Sequence, residues 1–179
     1  VDTFLHIFFS WLHILGIAMW VGPQIFLAVA WAPVSRQIED LPTRVAAIRT
    51  MTRRFGYLGA VGLLLIGASG LYLILRWRDH YAIPPDVEFT SLRFGLWFII
   101  KMNVLIVMLA VVALHTLWAG PRQLRLYEAK ARGEAVDEDK LRRARTVSMS
   151  LSLVGLLLTL SLMVIGVMMG TGAWSFQEV

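Results

Sequence analysis

The chain has 179 residues, of which 58% are apolar and only 16% charged, against roughly 25% charged in ordinary soluble domains. It contains no cysteine, which excludes disulfides, thiolate metal sites and thiol catalysis. The net charge of +5 would point to nucleic acid in a soluble protein, but here topology accounts for it and no nucleic-acid partner is expected.

Charge placement divides the chain. No Asp, Glu, Lys or Arg occurs from Thr3 to Ser35, from Phe55 to Leu75, or from Thr146 to Gln177, and Phe94 to Gly120 is interrupted only by Lys101. Each run meets or exceeds the ~20 residues that carry a helix across a hydrocarbon core of about 30 Å. The expected fold is therefore all-α, an integral membrane four-helix bundle in one domain, 1–179, with helices at about 4–32, 55–76, 94–118 and 147–170. Val1 lacks the positive flank of a signal peptide, so the first apolar run is expected to be a retained helix.

The first helix leads into a loop, 33–54, that carries Arg36, Arg44, Arg49, Arg53 and Arg54. Within it, Pro42 to Thr52 reads as a short surface helix opened by proline. The second helix is followed by a segment with only Arg76, Arg78 and Arg93 among its basic residues, made irregular by Pro84 and Pro85. The third leads into the loop 119–146, with Arg122, Arg125, Lys130, Arg132, Lys140, Arg142, Arg143 and Arg145, where solvated helical extensions are expected. Thirteen of the seventeen basic residues lie in those two loops, and the positive-inside bias places them in the cytoplasm with both termini out. Trp11, Trp77, Trp97 and Trp174 then fall near the outer boundary and Trp31 and Trp118 near the inner one, while Trp20 falls mid-membrane.

Ionisable groups inside lipid are costly and usually functional, which narrows the search to His13 and Lys101, with His6 and His115 nearer the boundaries. His6, His13 and Trp20 are seven apart and share one helix face, and Lys101, Met108 and His115 make a matching stripe on the third helix. Counted from Phe4 and Phe94, His13 and Lys101 lie at depths that differ by roughly 3 Å, so they are expected to face one site. A neutral imidazole is a common axial ligand of haem iron, and a desolvated lysine can ligate or accept protons. On the second helix Gly56, Gly59, Ala60, Gly67 and Gly70 form a smooth face open either to a flat macrocycle or to another helix. For His13 the plainer alternative is an interhelical hydrogen bond to Ser10, Thr159 or Ser161. Arg76 and Arg93 suit propionates near His13, or else anchor helix ends; His115 is a second candidate metal ligand or an interfacial residue. Met163, Met168 and Met169 offer thioethers that would suit copper(I), or simply pack. No phosphate loop, carboxylate pair or metalloprotease motif is present.

The run His13-Ile-Leu-Gly-Ile-Ala-Met-Trp20-Val-Gly22, followed by Arg53-Arg54-Phe55, resembles the copper resistance D (CopD-like) membrane family and the related HemJ-type protoporphyrinogen oxidases. Trp97-Phe-Ile-Ile-Lys101, continuing to His115, is similar to their third helix. The resemblance implies a compact membrane bundle, haem b in HemJ-type members and a part in copper uptake for CopD-like ones, with His13 as haem ligand and Lys101 as the essential lysine. Where HemJ-like proteins carry Pro-Arg after the Trp and Gly of the first helix, this chain has Pro23-Gln24. The leading expectation is thus a haem b-binding redox and electron-transfer protein of a bacterial-type cytoplasmic membrane, with His13 and His115 as metal-ligand candidates and Lys101 as the reactive group. Trp20, Gly59, Arg76 and Arg93 complete the expected cofactor site. Its partners would be the bilayer and other membrane redox subunits or a second copy. Protoporphyrinogen oxidation, copper uptake and an accessory structural role in a larger complex are the alternatives.

Overall fold

A computed structural model describes residues 3–178. Four helices in it are long and apolar enough to cross a membrane: α1 (Thr3–Ser35), α2 (Leu41–Leu75), α4 (Arg93–Ala131) and α5 (Glu138–Gly170). Two short helices, α3 (Trp77–Tyr81) and α6 (Gly172–Ser175), follow the returning member of each pair. Among the described residues there is no strand, and Leu92 and Glu178 meet in a single antiparallel bridge. The protein is all-α and a multi-pass membrane protein.

α2, α4 and α5 run further than the apolar stretches that reveal them, whereas α1 coincides with its own. At 1.5 Å per residue, each is about 50 Å or more long, against roughly 30 Å of hydrocarbon. The excess is polar and lies in the segments 33–54 and 119–146, where only short connections remain non-helical. Asp40 begins α2 as a cap, its Oδ2 accepting the Thr43 amide at 2.9 Å, and Pro42 sits where a missing amide costs nothing. Asp137 does the same for α5, accepting the amides of Asp139 and Lys140 at 2.9 and 3.2 Å. Gly133, at φ 79°, supplies the left-handed residue that turns the chain out of α4.

The chain divides into two compact units, one comprising the segment through Glu39 with Ala46–Val87, the other Asp40–Val45 with Glu88 onward. In the first, α1 and α2 pack antiparallel, with Phe9 stacked on Tyr72 at 4.0 Å and Phe26 beside Phe55 at 5.7 Å. Between these aromatic pairs the backbones come very close. A Cβ placed on Gly16 would lie 2.8 Å from the Gly62 carbonyl oxygen, and one on Gly62 would lie 2.8 Å from that of Gly16. In the second unit α4 and α5 are antiparallel too, with Gly155 against Val111 and Val112.

Each unit's first helix is interrupted by one π-turn, Leu27–Trp31 in α1 and His115–Ala119 in α4. Proline explains both. Pro33 and Pro121 cannot bond to, and clash with, the carbonyls four residues earlier, those of Val29 and Leu117, which are the middle residues of the two turns. The helix widens instead, so that Ala32 N–H bonds to Leu27 O and Gly120 N–H to His115 O.

Two outcomes test this account. Gly16→Ala should lower the thermal unfolding midpoint in detergent, at a cost of about 1–3 kcal/mol for overpacking, whereas Gly22→Ala should not, since nothing lies within 4 Å of a Cβ there. The hydroxyl and amide of Thr43 hold the Asp40 carboxyl below its ordinary range. Its capping contribution is therefore present above the unfolded value of about 3.9 and lost as pH falls through the lower folded one. Hydrogen exchange at the Thr43 amide should rise on acidification beyond that of an Asp40→Asn control, which caps without titrating.

Candidate functional site

Every hydroxyl or amide placed inside an apolar span needs a partner within the protein. Here most turn back to their own helix, four residues earlier: Thr159 to Gly155 O at 2.8 Å, Ser161 to Leu157 O at 2.9 Å, Ser152 to Ser148 O at 3.0 Å and Asn103 to Ile99 O at 2.8 Å. Ser69 of α2 follows the pattern, donating to Leu65 O, and is 1% exposed. It also meets a histidine at close range, its Oγ lying 3.0 Å from Nδ1 of His13.

Within the first unit the imidazole meets Ser69, a partner the sequence reading did not name. Gly70 makes the approach possible: a Cβ there would stand 3.2 Å from His13 Cε1 and 3.5 Å from Nδ1. One heptad along α1, Trp20 lies on Gly59, where a Cβ would be 3.2 Å from its ring. The glycine face of α2 is thus used in part by side chains of α1, at Gly59 and Gly70, while nothing lies within 4 Å of a Cβ at Gly56 or Gly67.

Lys101 belongs to the second unit. Its side chain is half-buried and leans on α5, with Nζ 3.6 Å from the place of a Cβ on Gly166. Met108, the next residue of its stripe, is 2% exposed. His115 opens the π-turn, and both its ring nitrogens lie 3.5 Å from Ser152 Oγ. His13 and Lys101 hold matching places in their units, since the π-turns begin fourteen residues after each, at Leu27 and at His115.

The arginines sit at helix ends. Arg76 pairs with Asp79 at 3.4 Å and is well exposed. Arg93 donates to Gln177 Oε1 at 2.7 Å and lies over the Trp174 ring at 5.4 Å, tying α4 to the C-terminal segment. Met163 is exposed and Met169 buried, so these thioethers of α5 face different ways.

One arrangement was not anticipated. The rings of His6 and His80 are stacked 3.3 Å apart and 5° from parallel, with Tyr81 edge-on to His80 at 4.7 Å. His6 Nδ1 is buried without a hydrogen-bond partner. Parallel rings point their lone pairs side by side, so the stack as it stands does not converge on an ion. Among the described residues no three His, Cys, Asp or Glu side chains gather as a metal-binding group.

No family model, curated protein or solved structure matches the chain. The packing of Lys101 can be checked directly. Gly166→Leu should push the amine off α5 and raise its rate of acylation severalfold in the detergent-solubilised protein, read by mass spectrometry of the Lys101 peptide. Gly170→Leu, at a position with nothing within 4 Å of a Cβ, should leave that rate unchanged.

Proposed function

We propose that this protein is a haem b-binding electron carrier of a bacterial-type cytoplasmic membrane, in which His13 would hold the iron and Lys101 would be a second ligand or the group that handles the accompanying proton. The observation that carries this reading is the imidazole of His13, held inside an apolar span with Nδ1 engaged by Ser69. A histidine that ligates metal through one ring nitrogen is almost always fixed by a hydrogen bond at the other. The residues fit the cofactor in kind: a half-buried imidazole for the iron, apolar spans for the macrocycle, and arginines at helix ends for propionates.

When bound, haem b supplies one-electron chemistry at iron. The chain's own contribution is to bind and orient it. Ser69 and Gly70 fix the plane of His13, and Trp20 on Gly59 closes the same helix pair one heptad along. Lys101 brings an amine into the one charged position of the four apolar runs, where it can exchange a proton as electrons arrive and leave. Arg76 and Arg93 are the cations assigned to the propionates. By the positive-inside bias, His13 and Lys101 lie in the non-cytoplasmic half of the bilayer. The carrier would exchange electrons with other membrane subunits or with a second copy.

The purified protein, expressed with haem supplied, should show a Soret band, a reduced-minus-oxidised difference and a pyridine haemochrome of the b type; absence of all three ends this reading. His13→Ala should retain less haem by on the order of tenfold or more, while His80→Ala retains it. Lys101→Met separates the two roles of the amine. If it ligates, the spectrum turns from low-spin to high-spin; if it handles protons, the spectrum stays and the pH dependence of the midpoint potential is lost.

A further inference from the structure

Ser69 has a single hydroxyl proton and three neighbours that could take it, the carbonyls of Leu65 and Ile66 and Nδ1 of His13. The Leu65 carbonyl is the closest of the three, and two oxygens in that contact would repel without a proton between them. The proton therefore lies toward Leu65, and Oγ is left with lone pairs. A ring nitrogen 3.0 Å from such an oxygen must donate. His13 Nδ1 thus carries the hydrogen, and in the neutral ring Nε2 is then the unprotonated nitrogen with its lone pair in the ring plane.

We infer that Ser69 is a positioning residue of the site, which fixes His13 in the tautomer whose Nε2 can ligate a metal ion and locks the ring against α2. The role rests on His13 being the iron ligand proposed above. Three features of α2 serve it together. The Leu65 carbonyl orients the hydroxyl. The hydroxyl orients the imidazole, and Gly70 leaves the space in which the ring lies. Ser69 is 1% exposed, so no water competes for its lone pairs. A hydrogen bond of this kind also makes the imidazole a stronger electron donor toward iron, which favours the oxidised metal.

The test begins on the full-length protein prepared without haem, labelled with 15N-histidine, where ring nitrogen shifts report the tautomer. His13, assigned by its loss in His13→Gln, should show a protonated Nδ1 and an unprotonated Nε2. A proton on Nε2 in the wild-type protein overturns the inference without any need to recover a variant. In Ser69→Ala the Nε2–H form should become populated, and Ser69→Thr, which keeps the hydroxyl, should restore the wild-type pattern; an unchanged tautomer in Ser69→Ala also overturns it. With haem supplied, Ser69→Ala should lose about 10- to 100-fold in affinity and show a higher midpoint potential, both recovered in Ser69→Thr. A tautomer that changes while affinity and potential do not would reduce Ser69 to a packing contact and overturn its role. Failure of the proposed function looks different: the wild-type protein then binds no haem even though its His13 tautomer is as expected.

Discussion

The close approach of α1 and α2 at Gly16 and Gly62 is the contact on which the first unit depends. Neither position has room for a Cβ, because each faces the other's carbonyl oxygen. Lipid tails give helices no hydrophobic reason to associate, so packing at small residues carries that load. Once the backbones are this near, the side chains to either side cannot interdigitate at ordinary spacing and must lie on glycine. Trp20 does so at Gly59, and His13 at Gly70 beside Ser69. The polar contact of His13 is thus a by-product of a steric one, and a wider helix pair would leave the imidazole out of reach of the hydroxyl.

The two units share a plan. Each consists of a helix with a π-turn before a proline and a returning helix with the segment Val-Gly-Leu-Leu-Leu, at Val61–Leu65 in α2 and Val154–Leu158 in α5. The glycine of each segment meets the helix that precedes it, at Gly16, Met19 and Trp20 in one unit and at Val111 and Val112 in the other. The π-turns lie in Leu27-Ala-Val-Ala-Trp31-Ala-Pro33 and His115-Thr-Leu-Trp118-Ala-Gly-Pro121, which share a Trp-Ala pair shortly before the proline. Within that plan His13 and Lys101 stand at corresponding places. One unit puts an imidazole there, the other an amine, each backed by a glycine of the returning helix, Gly70 or Gly166.

Most of the fold was legible because lipid makes charge placement nearly sufficient: four charge-free or nearly charge-free runs became four long helices. The polar ends were legible in kind, since Pro42 and the mixed charges after Pro121 suggested helices beyond the apolar runs. Their continuity with the spans was not, because hydropathy marks where lipid ends and not where a helix does. The π-turns escaped a reading based on a uniform 100° per residue, although Pro33 and Pro121 were the visible signal. Ser69 was missed for a simpler reason. The depth count that paired His13 with Lys101 was never carried to α2, where counting back from Arg76 would have brought Ser69 to the level of His13. The stack of His6 on His80 had no signal at all, because nothing in the outer segment's composition says that Trp77–Tyr81 coils into a helix that brings His80 back to α1.

A π-turn is one residue too many in a helix that does not break, and it changes the helix's facing. Each extra residue rotates everything beyond it by about 100° relative to an uninterrupted helix. The His6, His13, Trp20 stripe of α1 therefore does not run on to Trp31, and the stripe of Lys101 and Met108 ends at His115. Each of these helices is two surfaces joined end to end, and in α4 the second still meets α5, where Lys130 donates to Glu138. Loss of a single residue within 115–119 would swing the whole basic end of α4 round its axis while leaving the intramembrane stripe where it is.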